Sequence, residues 1–266
     1  MVSAVRKDMS SGETLLTGRA LTSLTLQGID GELGRVEEFY FDDRFWLLRY
    51  LVVNTGSWLT GRRVLIPPSA VAGFGAKERR IRVGLTREQI RNSPPVDTRK
   101  PVSRLYEERY YSYYGWPPYW DTGLVPGLPP TQTGMAPATA AGNRETPDPK
   151  QSHLRSSSEV SGYRIAAHDG AFGQVADFLI DSQAWSIRYL EINTRNWWPG
   201  RHVLISADWI EAVDWVEHSV VVGLSREVIK RAPEYDSPAM IDRAYEARLH
   251  RHYGRRGYWH TDAKTD

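Results

Sequence analysis

The sequence lacks cysteine, a charge excess of either sign and any long apolar segment. The absence of cysteine excludes disulfide scaffolds, thiolate zinc sites and cysteine catalysis. Lysine and arginine number 34 against 32 acidic residues. The chain therefore lacks the large net positive charge that would indicate a nucleic-acid-binding protein. No stretch approaches the roughly 18 apolar residues of a membrane-spanning helix, and residues 1–21 lack the apolar core of a signal peptide. We therefore expect a cytoplasmic protein, with peripheral attachment to the inner membrane through a partner as the alternative.

Aromatic residues, by contrast, are abundant, with 10 tryptophans and 14 tyrosines among 266 residues. The share of hydrophobic residues is 41% and that of charged residues 25%, as in globular proteins with a buried core. The length allows one large domain or two ordinary ones.

The chain contains one sequence pattern twice. The Gly-x-x-Gly-x-Val motif at 31–36 recurs at 170–175, and Arg-Tyr-Leu at 49–51 recurs at 188–190, in both cases 139 residues later. Such self-similarity indicates a duplicated domain. The predicted division is a flexible N-terminus over 1–19, a first repeat over 20–120, a flexible Pro/Gly-rich linker over 121–158, a second repeat over 159–259 and a C-terminal tail over 260–266.

Within each copy, short segments alternate apolar and polar residues with a period of two, which is typical of strands. Turn residues separate these segments, and no long helix intervenes, so the pattern predicts a mainly β fold. We expect a small antiparallel sheet in each copy, curled or closed into a barrel that protects its edges. A capping box at 86–89 and its partial copy at 225–228 predict a short helix after each barrel. Residues 104–114 and 243–253 predict a second helix, rich in polar and aromatic residues.

The order of these motifs resembles the PRC-barrel family. The shared motifs are Gly-x-x-Gly-x-Val, a strand that ends in aspartate, Arg-Tyr-Leu, Val-Leu-Ile and Gly-Leu-Thr/Ser-Arg-Glu, spanning about 21–94 and 160–233. The family includes the cytoplasmic domain of the photosynthetic reaction-centre H subunit, to which the second copy is more similar, and the C-terminal domain of a ribosome maturation factor. The resemblance implies two tandem small β-barrels that serve docking rather than catalysis, without a cofactor.

The strand-terminal aspartates, Asp42 and Asp181, are the duplicated acids of this pattern. In the photosynthetic branch of the family, surface carboxylates near the second strand assist proton uptake, and these two aspartates match that strand end. The glutamate that follows in that branch is replaced here by Phe45 and Ala184. Aspartate at a turn also has local hydrogen-bonding reasons to be there.

Candidate partner contacts follow the Arg-Tyr-Leu strand. Trp58 and Trp197 either cap an open end of the barrel or form a hot spot for a partner. Trp198 aligns with Leu59, so it is the better candidate for an exposed contact. Arg62 and Arg201 either hold an acid or a loop carbonyl of their own repeat, or recognise an acidic partner.

The C-terminal stretch interleaves basic and aromatic residues, namely Arg248, Arg251, Tyr253, Arg255, Arg256 and Trp259. Proteins that bind single-stranded nucleic acid or anionic lipid use this combination. The first copy has tyrosines and fewer charges there, which favours a helix that packs on its barrel or on a partner. His250, His252 and His260 have no carboxylate or thiolate at a confirming spacing, so we predict no metal site.

These features favour a non-enzymatic adaptor: two barrels on a flexible tether that bind a protein partner, in a photosynthetic or respiratory membrane complex by resemblance. We predict no catalytic residues, because the sequence has no nucleophile-elbow, Walker or dinucleotide-binding motif. The alternative is an RNA- or ribosome-associated maturation factor. Nucleic acid is the less favoured partner, because residues 159–224 hold nine acidic residues and four basic ones.

Overall fold

The structure is a computed structural model that describes residues 15–75, 79–96, 102–119, 153–194, 201–236 and 241–260. These residues form a mainly β fold, as predicted, with few and short helices. In the first repeat, the strands are β1 (Leu15–Thr17), β2 (Thr25–Gly28), β3 (Gly31–Asp42), β4 (Leu47–Asn54), β5 (Arg63–Ile66), β6 (Val71–Gly75) and β7 (Arg80–Val83), and the helices are α1 (Gly18–Thr22), α2 (Arg87–Asn92) and α3 (Arg104–Tyr114).

The second repeat has the same elements in the same order. Its strands are β8 (Leu154–Ser156), β9 (Arg164–Ala167), β10 (Gly170–Asp181), β11 (Ser186–Asn193), β12 (His202–Ser206), β13 (Ile210–Asp214) and β14 (Ser219–Val222), and its helices are α4 (Ser157–Val160), α5 (Arg226–Lys230) and α6 (Arg243–His252). Short 3-10 turns lie at Gly56–Leu59, Pro68–Ala70, Ala207–Trp209 and Tyr258–His260.

Each repeat begins earlier than the sequence pattern indicated. Strand β1 lies in the segment that we predicted to be a flexible N-terminus, and β8 lies in the predicted linker. Both are only three residues long, too short to show a periodic pattern. Most of the predicted linker, residues 121–152, lies outside the described residues.

Six strands in each repeat follow the order β6-β7-β2-β3-β4-β5, or β13-β14-β9-β10-β11-β12. Neighbours are antiparallel except β2 with β7 and β9 with β14, which run parallel. Among the described residues, the two end strands of a repeat do not pair with each other. The prediction of closed, antiparallel barrels was therefore wrong: each sheet is mixed and open.

The two repeats exchange strands. Strand β1 pairs with β10 of the second repeat, with Leu15 opposite Asp181, and β8 pairs with β3 of the first repeat, with Leu154 opposite Asp42. The exchange of strands is sterically feasible because β3 and β10 are each twelve residues long. Their first halves pair with β2 or β9, which leaves the second halves for the exchanged strands. Strands β4 and β11 also pair, so that 14 described strands form one mixed sheet.

The exchange creates a core that both repeats share. Phe39 and Phe178 are equivalent residues whose rings meet edge to face, with centroids 5.5 Å apart. Phe74 of the first repeat packs against Trp185 of the second at 5.3 Å. The largest cluster of buried apolar side chains accordingly draws on both repeats. The two repeats, which we expected to be independent barrels, therefore share one core.

A smaller cluster lies between the first sheet and α3, around Tyr50, Leu65 and Tyr110. Helix α3 thereby packs on its own repeat, as does α6, whose Tyr245 and Leu249 are buried in the main cluster. None of the helices in the described part of the chain is long and apolar enough to cross a membrane.

Candidate functional site

The loop between β4 and β5 positions Trp58 at one end of the first repeat. Asn54 Oδ1 accepts the amide of Gly56 at 2.8 Å, which starts the 3-10 turn that carries the tryptophan. The indole Nε1 of Trp58 donates to the carbonyl of Leu33 at 3.0 Å, and the Arg87 guanidinium lies 5.3 Å from the ring centroid. These contacts fix the ring while leaving it half-exposed.

Beside Trp58 runs an open groove of about 570 Å³. Its walls carry both charges and are formed by Glu32, Gly34, Arg35, Glu37, Asn54, Thr55, Gly56, Ser57, Trp58 and Arg87. Burial tends to raise the pKa of Glu37, but hydrogen bonds from Asn54 and Arg63 outweigh it and lower the pKa overall. The groove therefore offers an aromatic face next to an ionised carboxylate and a guanidinium.

Arg62 and Arg201 point into their own repeats. Arg62 donates to the carbonyl oxygens of Arg91, at 2.9 Å, and of Ser93 at the end of α2. Arg201 donates in the same way to Lys230 at 3.2 Å and to Ala232 at 2.5 Å, after α5. A cation at the carbonyl end of a helix is favourable. Both arginines thus connect the loop after the Arg-Tyr-Leu strand to a helix end.

The duplicated acids Asp42 and Asp181 are buried at the ends of β3 and β10. Asp181 Oδ1 accepts the amides of Gln183 and Ala184 in the turn, at 2.8 and 3.0 Å, and its Oδ2 lies 2.8 Å from Arg188. Asp42 accepts the amide of Arg44 at 3.0 Å and contacts Arg49 at 3.5 Å. These bonds serve the turn and the adjacent strand.

Each tail helix is bound to its sheet by a buried glutamate. In the first repeat, Glu107 accepts the hydroxyls of Tyr50 and Tyr119, both at 2.8 Å, and pairs with Arg104 at 3.0 Å. Burial raises the pKa of Glu107, although these three partners favour the ionised form.

The second repeat has the same arrangement around Glu246. Its carboxylate accepts the hydroxyls of Tyr189 at 2.9 Å and Tyr258 at 2.8 Å and pairs with Arg243 at 3.1 Å. Tyr111 of the first repeat is replaced by His250, whose Nε2 lies 3.1 Å from the Tyr189 hydroxyl. Burial lowers the pKa of His250. Because the cluster is duplicated and internally paired, it explains how the tails attach.

The basic and aromatic residues of the C-terminal stretch separate in space. Tyr253 is buried, and Trp259 packs on His250 at 5.0 Å and on Arg243 at 4.4 Å. The exposed residues of the set are Arg248, Arg251, Arg255 and Arg256. The surface is therefore cationic, while Tyr253 is buried and Trp259 is half-buried against His250 and Arg243.

A second cleft, which the sequence patterns did not indicate, lies in the second repeat. Residues lining it include Asp177, Glu191, His202 and Tyr235, together with Arg19 from the first repeat. One signal was available: Glu191 interrupts a buried apolar strand, where the equivalent residue is Val52. The contribution of Arg19 could not be seen, because the residue is 158 positions from Asp177.

Trp197 and Trp198 lie outside the described residues, so their predicted contact surface stays a prediction. Neither a scan of protein-family models nor a search of curated proteins finds a match to this chain.

Proposed function

We propose that this chain is a non-enzymatic docking protein and that the groove beside Trp58 is its partner-binding site. The observation that carries the proposal is the state of Trp58, a half-exposed ring held in place by a hydrogen bond and a guanidinium. Rigid aromatic residues at the edge of a groove are typical anchors of protein interfaces. The other described candidates, Arg62 and Arg201, bind carbonyls of their own repeat and contribute less to a partner surface.

The proposal extends to family membership: the two repeats are open, fused variants of the PRC-barrel. The motif order supports this, and so does the role of the second glycine of each Gly-x-x-Gly motif. Gly34 has φ +144°, and a Cβ atom there would lie 2.0 Å from the carbonyl oxygen of Asn54. The motif thus lets β3 pass close to the Trp58 loop, which connects the resemblance to the proposed site.

The partner is a protein segment with an apolar side chain for the Trp58 ring and charges of both signs for Glu37 and Arg87. By resemblance, it belongs to a photosynthetic or respiratory membrane complex. The alternative, an RNA partner, is favoured by the exposed arginines Arg248, Arg251, Arg255 and Arg256. It is disfavoured by the burial of Tyr253 and by the packing of Trp259 on His250 and Arg243, since single-strand binding relies on stacked bases.

The test is affinity capture with the full chain and three variants, quantified by mass spectrometry. Trp58→Ala removes the ring, Ser57→Trp fills the groove from an exposed position, and Phe45→Ala removes an exposed ring at a different turn as control. We expect the first two variants to lose recovery of one common set of proteins by about tenfold or more, and Phe45→Ala to retain it.

Recovery of the same proteins by Ser57→Trp and the parent chain would refute the groove as the docking site. If the retained material is RNA-dependent and its binding weakens steeply with salt, the maturation-factor alternative replaces the docking proposal.

A further inference from the structure

The second cleft has a volume of about 480 Å³ and lies where α1 of the first repeat meets the sheet of the second. Its lining residues are Thr17, Arg19, Asp177, Glu191, His202, Tyr235 and Asp236. Two carboxylates form its base, since Asp177 is 4% and Glu191 5% exposed. The cleft shares no lining residue with the groove beside Trp58, so a ligand bound here is independent of the docking proposal.

The contacts of Arg19 show that the carboxylates of the cleft bind a guanidinium. Its Nε donates to Asp177 Oδ2 at 2.8 Å, and one of its terminal nitrogens lies 3.3 Å from Glu191 Oε1. The hydrogen bond with Asp177 raises the pKa of this guanidinium. The Arg19 side chain remains 70% exposed, so it lies at the mouth without filling the cleft.

The charges of the cleft are not balanced by Arg19. Three carboxylates, those of Asp177, Glu191 and Asp236, line the cleft against the single guanidinium of Arg19. The imidazole Nδ1 of His202 already faces Glu191 Oε1 at 2.5 Å. The buried Asp177 and Glu191 are thus already paired, and the exposed Asp236 adds a third carboxylate, so the cleft is electrostatically suited to a further cation.

The hydroxyl of Tyr235 is an independent sign of a ligand. The residue lines the cleft and is 3% exposed, yet its hydroxyl has no hydrogen-bond partner among the described residues. Burial raises the pKa of Tyr235, and the charges of Glu191 and Asp177 raise it further. Buried polar groups without a partner are rare in folded proteins.

The charged residues that line the cleft are not repeated at the equivalent described positions of the first repeat. The residues equivalent to Glu191, His202 and Tyr235 are Val52, Arg63 and Val96. Glu38, the equivalent of Asp177, is occupied by the hydroxyls of Ser156 and Ser158. The acidic lining is therefore a feature of the second repeat.

We propose that this cleft binds a small organic cation whose guanidinium or ammonium group donates hydrogen bonds to Glu191, Asp236 and the hydroxyl of Tyr235. Among the described residues, no group of three His, Asp or Glu side chains could hold a metal ion, whereas a guanidinium spans more widely spaced acceptors. The ring of Tyr235 and the methyl group of Thr17 offer an apolar wall for a short alkyl chain.

The test is isothermal titration calorimetry on the full chain with n-butylguanidinium, agmatine and n-butylurea. The first two probes carry the cation, and the last is a neutral compound of similar shape. We expect saturable binding of both cations, tighter for the doubly charged agmatine, and no binding of the urea. A capped Gly-Arg-Gly peptide identifies the source: tighter binding than n-butylguanidinium assigns the site to an arginine side chain, and weaker binding assigns it to a small free cation.

Two tyrosine variants separate binding from folding. Tyr235→Phe removes a hydroxyl that has no partner in the described part of the chain, so the melting temperature should not fall, while cation affinity should fall by about threefold to tenfold. Tyr253→Phe is the matched control, because its hydroxyl is likewise buried without a partner among the described residues but lies outside the cleft lining. Equal cation affinity in Tyr235→Phe and Tyr253→Phe, or equal binding of the cations and n-butylurea, would overturn the proposal.

Discussion

Leu47 and Ser186 occupy equivalent positions in the two repeats and face each other in one antiparallel pair of strands. On either side, the amide of Leu48 donates to the carbonyl of Trp185 at 2.8 Å, and the amide of Ile187 donates to that of Trp46 at 2.7 Å. Equivalent residues of the two repeats thus form equivalent backbone hydrogen bonds with each other, as in the isologous interface of a two-fold dimer. The duplicated chain therefore has the architecture of a strand-exchanged dimer in one polypeptide.

Separated halves of the chain should reassociate. Fragments 1–120 and 121–266 each contain a strand, β1 or β8, that pairs with the other fragment. When co-expressed, they should purify as a 1:1 complex, measured by size-exclusion chromatography with light scattering. Removal of residues 1–17 from the first fragment, which deletes β1, should weaken the complex. Two fragments that are each folded and monomeric would contradict the shared core.

The full chain should unfold in one cooperative transition, because one hydrophobic core joins the repeats. Phe178→Ala removes a ring that is 1% exposed and should cost about 3–5 kcal/mol of unfolding free energy. Phe45→Ala, at a position 59% exposed, should cost less than about 0.5 kcal/mol. Denaturant titrations followed by tryptophan fluorescence measure both. Two resolved transitions, with only one shifted by Phe178→Ala, would show that the repeats are independent.

Gly34→Ala should destabilise the chain strongly, because the new methyl group would lie 2.0 Å from the backbone oxygen of Asn54. We expect a loss of about 3 kcal/mol or more, from overpacking and backbone strain together. Gly56→Ala is the control: that glycine also has positive φ, +62°, but nothing lies within 4 Å of its Cβ position. Its cost should be about 1 kcal/mol. Equal melting temperatures for the two variants would argue against the close approach.

His250→Tyr should reduce the loss of stability in acid. Burial keeps the folded-state pKa of His250 below its ordinary value of 6.5, so the unfolded chain binds more protons between these two values. The contribution of neutral His250 to the free energy of unfolding is fully present above the ordinary pKa and is lost as the pH falls through the folded-state pKa. The substitution places at position 250 the residue type that the first repeat has at the equivalent position, Tyr111.

Urea midpoints at about pH 7.5 and about pH 5.5 lie on either side of the ordinary pKa of histidine. The difference between the two midpoints should be smaller for His250→Tyr than for the parent chain. His168→Gln, at an exposed histidine, is the control and should leave the difference unchanged. A parent chain whose midpoint does not fall in acid would contradict the expected role of His250.

Several local features could be predicted from sequence because they depend on neighbouring residues. The capping box at Thr86 forms with both of its bonds to Gln89, and the long strands β3 and β10 end at Asp42 and Asp181 as the motifs indicated. The proposed partner site is less accessible to such reasoning: the pattern selected Trp58 but left open whether Arg62 binds a carbonyl of its own repeat, as the structure shows, or an acidic partner.

The sequence by itself determined that there are two copies and that both are built mainly of short strands. It also determined where the one long strand of each copy ends. Periodicity and turn chemistry suffice for this, because they act over a few residues. Only the tertiary structure decided that β1 and β8 cross between the copies, that the sheets stay open, and that Arg19 meets Asp177. The edge of a strand offers the same backbone groups to any partner, so the sequence of a three-residue segment does not indicate which strand it pairs with. The pairing follows from the burial of Phe39 and Phe178 in one common core.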